Sequence, residues 1–431
     1  MAPSNSSAIT QDDPRYKEMF SVENETLHAG HVLVDDPYPA FAALRAGGAV
    51  ISGSIVEKVT GRADPQFARN DRPHFTTLTF DACSKALVDN ETYSSALYQE
   101  QGGVMENIGH TELSMVGSEH ARHRAAVQPM LTRQQAMGWW RETWIEPFVA
   151  TLLDEIERQG DGVDLALSLC ARLPMHTVTA AYGLNSDEAL AFRENLIATM
   201  NPGVTGAPRE AAKATVQEVL LGAISERRRE RRDDLISRLI DAPFTDAQAQ
   251  VSTLDDDAIL NFSRLLLLAG GGTTYRQMGI LILALLSNRD QLEALRGDRS
   301  LMQPAIEEAV RWNCTDPVFY RLATRDSELG GVTVPEGAVV GVCLGAGNRD
   351  PGRWDNPDRY NLHRPERRHV GFAAGPHTCL GRFVASAEMT AAVNGLLDRF
   401  PNLRLDDHGE PARIIGGLQA RGVNHLRVKL H

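Results

Sequence analysis

One cysteine in this sequence lies where a thiolate could bind a metal ion. Cys379 belongs to the segment 372–381, FAAGPHTCLG, and a run of helical character over residues 382–388 follows directly. Backbone N–H groups and the positive end of a helix dipole lower the pKa of a thiol, and the thiolate is the form that binds metals. The sequence therefore predicts a lowered pKa and a chemical role for Cys379.

Two plainer roles are weighed against this one. A lone cysteine is most often a buried structural side chain. A zinc ion would need more ligands, and His377 with Cys379 has no second His/Cys pair at the spacing of zinc fingers or deaminases. Gly375 and Gly381 remove side chains from the backbone on either side, so that a flat and bulky group could lie against it.

The segment resembles the haem-binding signature of the cytochrome P450 superfamily, F-x-x-G-x-H-x-C-x-G followed by A-x-x-E. Every fixed position of that pattern is matched, by Phe372, Gly375, His377, Cys379, Gly381, Ala385 and Glu388. The resemblance implies a soluble, bacterial-type haem-thiolate monooxygenase that carries haem b, iron protoporphyrin IX. Cys379 would be the iron ligand, and Phe372, His377 and Gly381 would contact the cofactor.

A second unusual feature is the most apolar stretch, residues 254–287, which as a helix would be about 50 Å long at 1.5 Å per residue. Arg264, Arg276 and Gln277 interrupt it, which argues against a membrane span. Its centre, residues 269–274, reads Ala-Gly-Gly-Gly-Thr-Thr, and three glycines inside a helix cost roughly 3 kcal/mol relative to alanine. Either close packing against another helix or a groove over a flat cofactor would require this bare backbone.

The same residues resemble the P450 pattern A-G-x-(D/E)-T-T. Ala269, Gly270, Thr273 and Thr274 match it, whereas Gly272 stands where the acid is expected. In the family, the acid and the first threonine help to pass protons to dioxygen, so the resemblance assigns catalytic positions to Gly272, Thr273 and Thr274. We expect Thr273 to donate a hydrogen bond to the reacting oxygen while protons arrive through water in the space that Gly272 leaves.

Three basic residues resemble the haem contacts of the family. His120 and Arg124 are four residues apart and share a helix face. By resemblance this pair binds a haem propionate through charge-assisted hydrogen bonds, and a solvated basic face is the alternative interpretation. Arg321 matches the arginine that the family directs at a propionate.

The elements that must position these residues form a mainly α-helical fold with a small β region. The resemblance implies the cytochrome P450 fold, of class α+β, with the long central helix over the haem. Glu308 and Arg311 match the E-x-x-R of the family, and by resemblance Arg364 completes a buried structural network with them. Residues 1–30 are expected to be a polar lead-in and residues 31–431 a single domain. Helices are predicted over 40–45, 81–89, 119–131, 139–158, 165–181, 186–199, 207–231, 233–240, 254–287 and 305–312, and strands over 49–59, 75–80 and 322–344.

The composition indicates an ordinary globular chain, 42% hydrophobic and 23% charged. Five scattered cysteines without a CxxC pair argue against a disulfide framework and for a reducing compartment. The first ten residues are polar and show neither a signal peptide nor an apolar anchor, so we expect a cytoplasmic protein that is not bound to a membrane. A net charge of −12 is unfavourable for nucleic acid as a partner.

Electrons are expected to come from another protein, because no GxGxxG opens a βαβ unit and no four-cysteine set for an iron–sulfur cluster is present. The resemblance implies a ferredoxin-type donor that an NAD(P)H-dependent reductase supplies. We expect this donor to bind over Cys379, on a basic surface that includes Arg122, Arg133 and Arg382.

The resemblance implies that one oxygen atom of O2 is inserted into a C–H bond of a small hydrophobic substrate, by hydroxylation or oxidative demethylation. A peroxide-driven peroxygenase or peroxidase and a non-catalytic haem sensor are the alternatives. The missing acid at Gly272 favours the peroxide-driven enzyme, whereas Thr273 argues against both. Residues 91–116 lack periodicity and are predicted to form a loop, either a solvated connection or a mobile wall of a binding site. In the P450 family this region caps the substrate, so the resemblance favours the second interpretation. The predicted apolar pocket consists of Val104, Met105, Ile108, Leu268, Ala269, Val318 and Phe319, with a turn near residues 415–418.

Overall fold

Helices dominate the computed structural model, which describes residues 14–67, 71–100, 102–184, 186–201 and 203–431. The α-helices are α1 (Pro14–Met19), α2 (Val22–His28), α3 (Tyr38–Arg45), α4 (Ile55–Thr60), α5 (Phe80–Val88), α6 (Gly102–Asn107), α7 (Gly117–Val127), α8 (Arg133–Gln135), α9 (Glu146–Gln159), α10 (Arg172–Ala181), α11 (Ser186–Met200), α12 (Ala207–Arg229), α13 (Leu235–Ile240), α14 (Asp256–Ser287), α15 (Arg289–Gly297), α16 (Met302–Trp312), α17 (Leu344–Asn348) and α18 (Arg382–Arg399). Two π-helical segments, Ala136–Ile145 and Ala166–Ala171, lead into α9 and α10. Turns of 3-10 helix span Ser95–Gln99, Gln128–Leu131, Arg299–Leu301 and Gly375–His377.

The strands are short and form one five-stranded sheet and four two-stranded pairs. They are β1 (Val50–Ser52), β2 (His74–Thr77), β3 (Tyr93–Ser94), β4 (Pro243–Thr245), β5 (Val251–Thr253), β6 (Val318–Ala323), β7 (Ser327–Leu329), β8 (Val332–Val334), β9 (Val339–Cys343), β10 (Arg404–Leu405), β11 (Ile414–Gly416), β12 (Arg421–Val423) and β13 (Val428–Lys429). The large sheet has the order β1-β2-β9-β6-β3, in which only the β2–β9 pair is parallel. The predicted helix-rich α+β class is confirmed.

Three predicted boundaries were wrong. Residues 55–60 form α4 instead of continuing a strand, although β1 does pair antiparallel with β2 as predicted. The segment 91–116, predicted as a loop, contains β3, a 3-10 turn and α6. The predicted polar lead-in is wrong for its second half, because residues 14–28 form α1 and α2 and bury Tyr16, Phe20 and Val22. The first half, residues 1–13, lies outside the described residues.

The longest helix, α14, lies at the centre of the largest hydrophobic cluster. Asp255 begins it by accepting a hydrogen bond from the N–H of Ala258. The helix contacts α10, α12, α16, α18 and β12, and its C-terminal half is buried almost completely. Arg276 within that half is held by Glu25 and Asp316. Although α14 is 32 residues long, neither it nor another helix in the described part of the chain combines the length and apolar character needed to cross a membrane.

Three charged residues predicted to be structural form one buried network. Arg311 donates to both carboxylate oxygens of Glu308, at 2.7 and 2.9 Å, and Arg364 Nε lies 3.1 Å from each of the same oxygens. The Arg311 guanidinium also donates to the carbonyls of Asn348 and Pro357, at 2.8 and 2.9 Å. The network therefore ties α16 to the irregular segment that follows α17.

We expect Arg311→Ala to lower the free energy of unfolding by about 3–5 kcal/mol, because it leaves the Glu308 carboxylate buried with one partner fewer. Urea unfolding followed by circular dichroism measures this loss. Arg141→Ala is the matched control: Arg141 pairs with Glu146 at 2.6 Å on the surface, and its loss should cost less than about 1 kcal/mol. Equal losses in the two variants would contradict the structural role of the buried network.

Candidate active site

A compact loop presents Cys379 ahead of α18. The N–H of Cys379 donates to Phe372 O at 2.9 Å, and the N–H of Thr378 donates to Gly375 O at 3.1 Å. Gly375 has a φ of +71°, and a Cβ there would lie 2.6 Å from Leu87 O, so this position requires glycine. Gly381, by contrast, faces open space, with nothing within 4 Å of a Cβ. The predicted room for a flat group is therefore left at Gly381, whereas the prediction is wrong for Gly375, which packs against the backbone of Leu87.

The predicted low pKa of Cys379 is wrong for the protein on its own. The side chain is exposed at the loop surface, although protein atoms surround the thiol closely. Burial raises the pKa of Cys379. The backbone N–H of Gly381 and the charges of Arg124 and Arg382 lower this pKa, but by less than burial raises it. A thiol in this setting loses its proton when a metal cation binds the sulfur.

His377 is fixed by three hydrogen bonds. Its Nδ1 lies 3.1 Å from Glu112 O, and its Nε2 lies 3.1 Å from Ser95 Oγ and 3.3 Å from Asn90 Nδ2. These contacts place the ring proton on Nδ1. Burial, with the nearby His120, lowers the pKa of His377 to about 3, so the ring is neutral. Both ring nitrogens already make hydrogen bonds within the protein. His377 could therefore contact a cofactor only through van der Waals contact of its ring, and not through a hydrogen bond.

The predicted propionate-binding residues carry buried donors that have no acceptor. His120 Nε2 and Arg321 Nε lack a hydrogen-bond partner within the described residues. The His120 ring lies 4.1 Å from that of His377, and Arg124 Nη2 donates to Thr378 O at 2.6 Å, so α7 lies against the Cys379 loop. Burial lowers the pKa of His120 to about 4 and also lowers the pKa of Arg321 and Arg124.

These orphaned donors fit an anionic group such as a haem carboxylate. The sequence did not reveal one further residue of this set, Tyr98, whose hydroxyl hydrogen-bonds Arg321 and lies 3.4 Å from the N of Tyr320. Tyr98 falls in the aperiodic segment, where no pattern could have indicated it. Phe372, the first residue of the signature, is half-buried at the entry to the Cys379 loop.

The exposed face of α14 carries Ala269 and Thr273. The Thr273 hydroxyl donates to Ala269 O at 2.9 Å, within the helix. Thr274 is buried and, being one residue further along, points about 100° away from Thr273. The expected water-filled space at Gly272 is not free, because a Cβ there would lie 3.3 Å from Arg193 Nη2. Sequence reasoning missed Arg193, which lies in α11, nearly eighty positions before the motif.

The predicted substrate pocket is corrected at two residues, Val318 and Ile108, which are both buried. Side chains alternate along β6, so Val318 shares a face with Tyr320, whereas Phe319 shares a face with Arg321. Val318 is 4% exposed and packs into the core with Leu97, so it does not line the pocket. Of the other predicted residues, Val104, Met105 and Leu268 are half-buried and Ala269 is exposed. Leu418, in the predicted turn, is also buried in that core.

The comparisons with known proteins agree on one family. The Cytochrome P450 family profile matches residues 184–418. The 6-deoxyerythronolide B hydroxylase of Saccharopolyspora erythraea is 32% identical over 315 residues, 72% of this chain and 76% of that protein. The cytochrome P450 monooxygenase PikC of Streptomyces venezuelae is 30% identical over 417 residues, 92% of this chain and 93% of PikC. The ligand-free structure of the P450 monooxygenase TamI superimposes with a TM-score of 0.78 at 29% identity, covering 92% of each chain. This chain therefore belongs to the cytochrome P450 family and is a P450 monooxygenase of bacterial type.

Proposed function

We propose that this enzyme inserts one oxygen atom of O2 into a C–H bond of a small hydrophobic molecule, by hydroxylation or oxidative demethylation. The observation that carries the proposal is the exposed Cys379 thiol beside two buried donors without acceptors, His120 Nε2 and Arg321 Nε. An iron porphyrin brings both a metal for the sulfur and carboxylates for the donors. When bound through a thiolate, haem supplies the reduction of O2 and the cleavage of its O–O bond.

The residues that would hold haem b follow from the geometry. Cys379 would bind the iron, and Arg321, Arg124 and His120 would hold the two carboxylates. Arg321 is suited to this because it has no carboxylate within 4 Å in the described ranges and bonds only neutral groups, Tyr320 O at 2.8 Å and the Tyr98 hydroxyl. An arginine and a carboxylate form a strong charge-assisted pair once both leave water.

Thr273 would handle the proton at the reacting oxygen. Its hydroxyl now donates to Ala269 O, and rotation about one bond would turn it away from the helix. The neighbouring Gly272 has no carboxyl group, so protons must reach Thr273 through water and not through an acidic side chain. Thr274, which is buried, would then support the helix and not the chemistry.

A hydrophobic substrate is favoured by the half-buried apolar side chains Val104, Met105, Leu268 and Phe319. Burying these side chains against an apolar molecule contributes about 25 cal/mol of binding free energy for each Å² of apolar surface removed from water. One relative is named a hydroxylase, which favours oxygen insertion at C–H bonds here as well.

A basic cleft beside the Cys379 loop would receive the electron donor. It has a volume of about 870 Å³, and its lining includes Phe372, Thr378, six arginines and three glutamates. Arg311 and Arg364 pair with Glu308, which leaves four other arginines, Arg133, Arg367, Arg368 and Arg382. None of these four has a carboxylate within 4 Å in the parts of the chain that the structure covers, so their charge is available to a partner. Arg122, included in the predicted surface, does not line the cleft, and the sequence-based prediction had missed Arg367 and Arg368. A small acidic ferredoxin, reduced by an NAD(P)H-dependent reductase, has the complementary charge.

The function is tested with haem-loaded protein, a ferredoxin, its reductase and NADPH under ¹⁸O₂, after a panel of hydrophobic compounds has been screened for a change in haem absorbance. We expect product that contains one ¹⁸O atom and forms only when both O₂ and the redox proteins are present. Product from unlabelled hydrogen peroxide alone, with none from ¹⁸O₂, would identify a peroxygenase instead. Ligand binding without product under either condition would identify a haem sensor.

Charge at the cleft is expected to speed reduction by the donor. Arg382→Gln and Arg133→Gln should each slow reduction a few-fold at low salt, because opposite charges steer association and salt screens them. Stopped-flow reduction by ferredoxin, repeated at increasing salt, measures the effect, which should disappear at high salt.

Arg62→Gln is the matched control for this experiment. Arg62 is exposed, and the change alters the net charge equally without touching the cleft. Equal slowing in all three variants, or rates that do not depend on salt, would contradict binding of the donor at this cleft.

A further inference from the structure

An arginine from α11 covers one side of the three glycines in α14. A Cβ at Gly271 would lie 2.7 Å from Nη1 of Arg193, and a Cβ at Gly272 would lie 3.3 Å from its Nη2. Gly270 faces Val178 of α10 instead. Contacts of 2.7 Å are too short for a real side chain, so even alanine at position 271 would displace the guanidinium. Two of the three glycines are therefore explained by the room that Arg193 needs.

Arg193 makes hydrogen bonds with the backbone of α14 itself. Its Nη1 donates to Leu267 O at 2.8 Å and to Leu268 O at 3.4 Å. In an α-helix these carbonyls also accept the N–H groups of Gly271 and Gly272. A carbonyl oxygen has two lone pairs, so each can accept both donors. Arg193 thus adds charge-assisted hydrogen bonds to the turn that successive glycines weaken.

The cost of burying this guanidinium indicates a role beyond stability. Arg193 is 4% exposed, its Nε has no acceptor, and no carboxylate lies within 4 Å of it among the described residues. Burial lowers the pKa of Arg193, and the charge of Glu25, which itself pairs with Arg276, raises it. The ring of Phe20 lies 6.0 Å from its Cζ. An apolar side chain would fill such a position at a lower cost in free energy.

We propose that Arg193 is a positioning residue for Thr273, because it clamps the glycine turn of α14 to α11. Thr273 follows Gly272 directly, and its hydroxyl bonds Ala269 O within the same turn. The helix α11 also contacts α6, which carries Val104 and Met105. The clamp therefore connects α11 and α6, beside the predicted substrate pocket, with the Thr273 hydroxyl that acts on oxygen. This inference rests on the proposed function, in which Thr273 handles the proton.

Hydrogen exchange of backbone amides tests the clamp directly. In Arg193→Gln, which removes the charge and shortens the side chain, the amides of residues 271–274 should exchange about tenfold faster or more, as local opening becomes easier. Arg193→Lys keeps the charge and one donor group, and should recover part of the protection. Arg264→Gln is the matched control, because Arg264 also leaves α14 to bond another helix, at Gln217 of α12, and should leave residues 271–274 unchanged.

The positioning role of Arg193 is tested by measuring the ratio of hydrogen peroxide to product, which reports how the consumed electrons are divided between the two. Arg193→Gln should raise peroxide per product several-fold, Arg193→Lys should restore much of the ratio, and Arg264→Gln should not change it. An arginine that only stabilises the fold would lower the melting temperature without moving this ratio.

Several results would overturn the proposal. One is that Arg193→Gln leaves amide exchange at residues 271–274 unchanged. Another is that exchange becomes faster to the same extent throughout the chain, including α18. A third is that exchange becomes faster only at residues 271–274 while the ratio of peroxide to product stays the same. If the wild-type enzyme forms no product with any compound, the proposed function fails, whereas the exchange measurement still decides whether the clamp exists.

Discussion

Unpaired positive charge around one exposed thiol is the feature on which the rest of this structure depends. Arg321 and His120 bury donors without acceptors, and Arg124 reaches the Cys379 loop from α7. The buried carboxylate of Glu308, by contrast, is paired with both Arg311 and Arg364. A buried cation without a counter-charge costs several kcal/mol, so the unpaired donors near Cys379 suit an anionic cofactor.

The central helix α14 has two distinct faces at its glycine-rich turn. Ala269 and Thr273 lie on its exposed face, whereas Gly271 and Gly272 lie beneath Arg193. Where relatives of the family have an acid, this chain has an arginine delivered from another helix. The local charge at that position is therefore opposite in sign, and in the proposed function water and the Thr273 hydroxyl deliver the protons.

Local patterns in the sequence predicted the helices and the Cys379 loop well, since both depend on neighbouring residues. The apolar run over residues 254–287 was sufficient to locate α14, which spans Asp256–Ser287. The sequence could not reveal Tyr98 or Arg193, because each acts through contacts with residues far away along the chain. The pKa of Cys379 was mispredicted for a similar reason: the loop and helix start lower it, but burial by distant segments raises it more.

The alternation of side chains along β6 decides whether Val318 or Phe319 lies on the same face as Arg321, which composition alone left open. Val318 and Phe319 are both apolar, yet Phe319 shares a face of β6 with Arg321 and packs against one hydrophobic cluster, whereas Val318 lies on the other face, inside a different cluster. An apolar residue next to a motif can thus belong to either side of a strand, and the pairing of β6 with β9 settles which.

In the proposed function, Cys379 binds haem iron as a thiolate. The most direct test is the ferrous–carbon monoxide spectrum of purified Cys379→Ser, with Cys314→Ser as the control because Cys314 is buried elsewhere in the core. We predict that the control keeps the red-shifted band typical of a thiolate ligand, and that Cys379→Ser loses it together with turnover. A Cys379→Ser protein that retains this band would contradict the account.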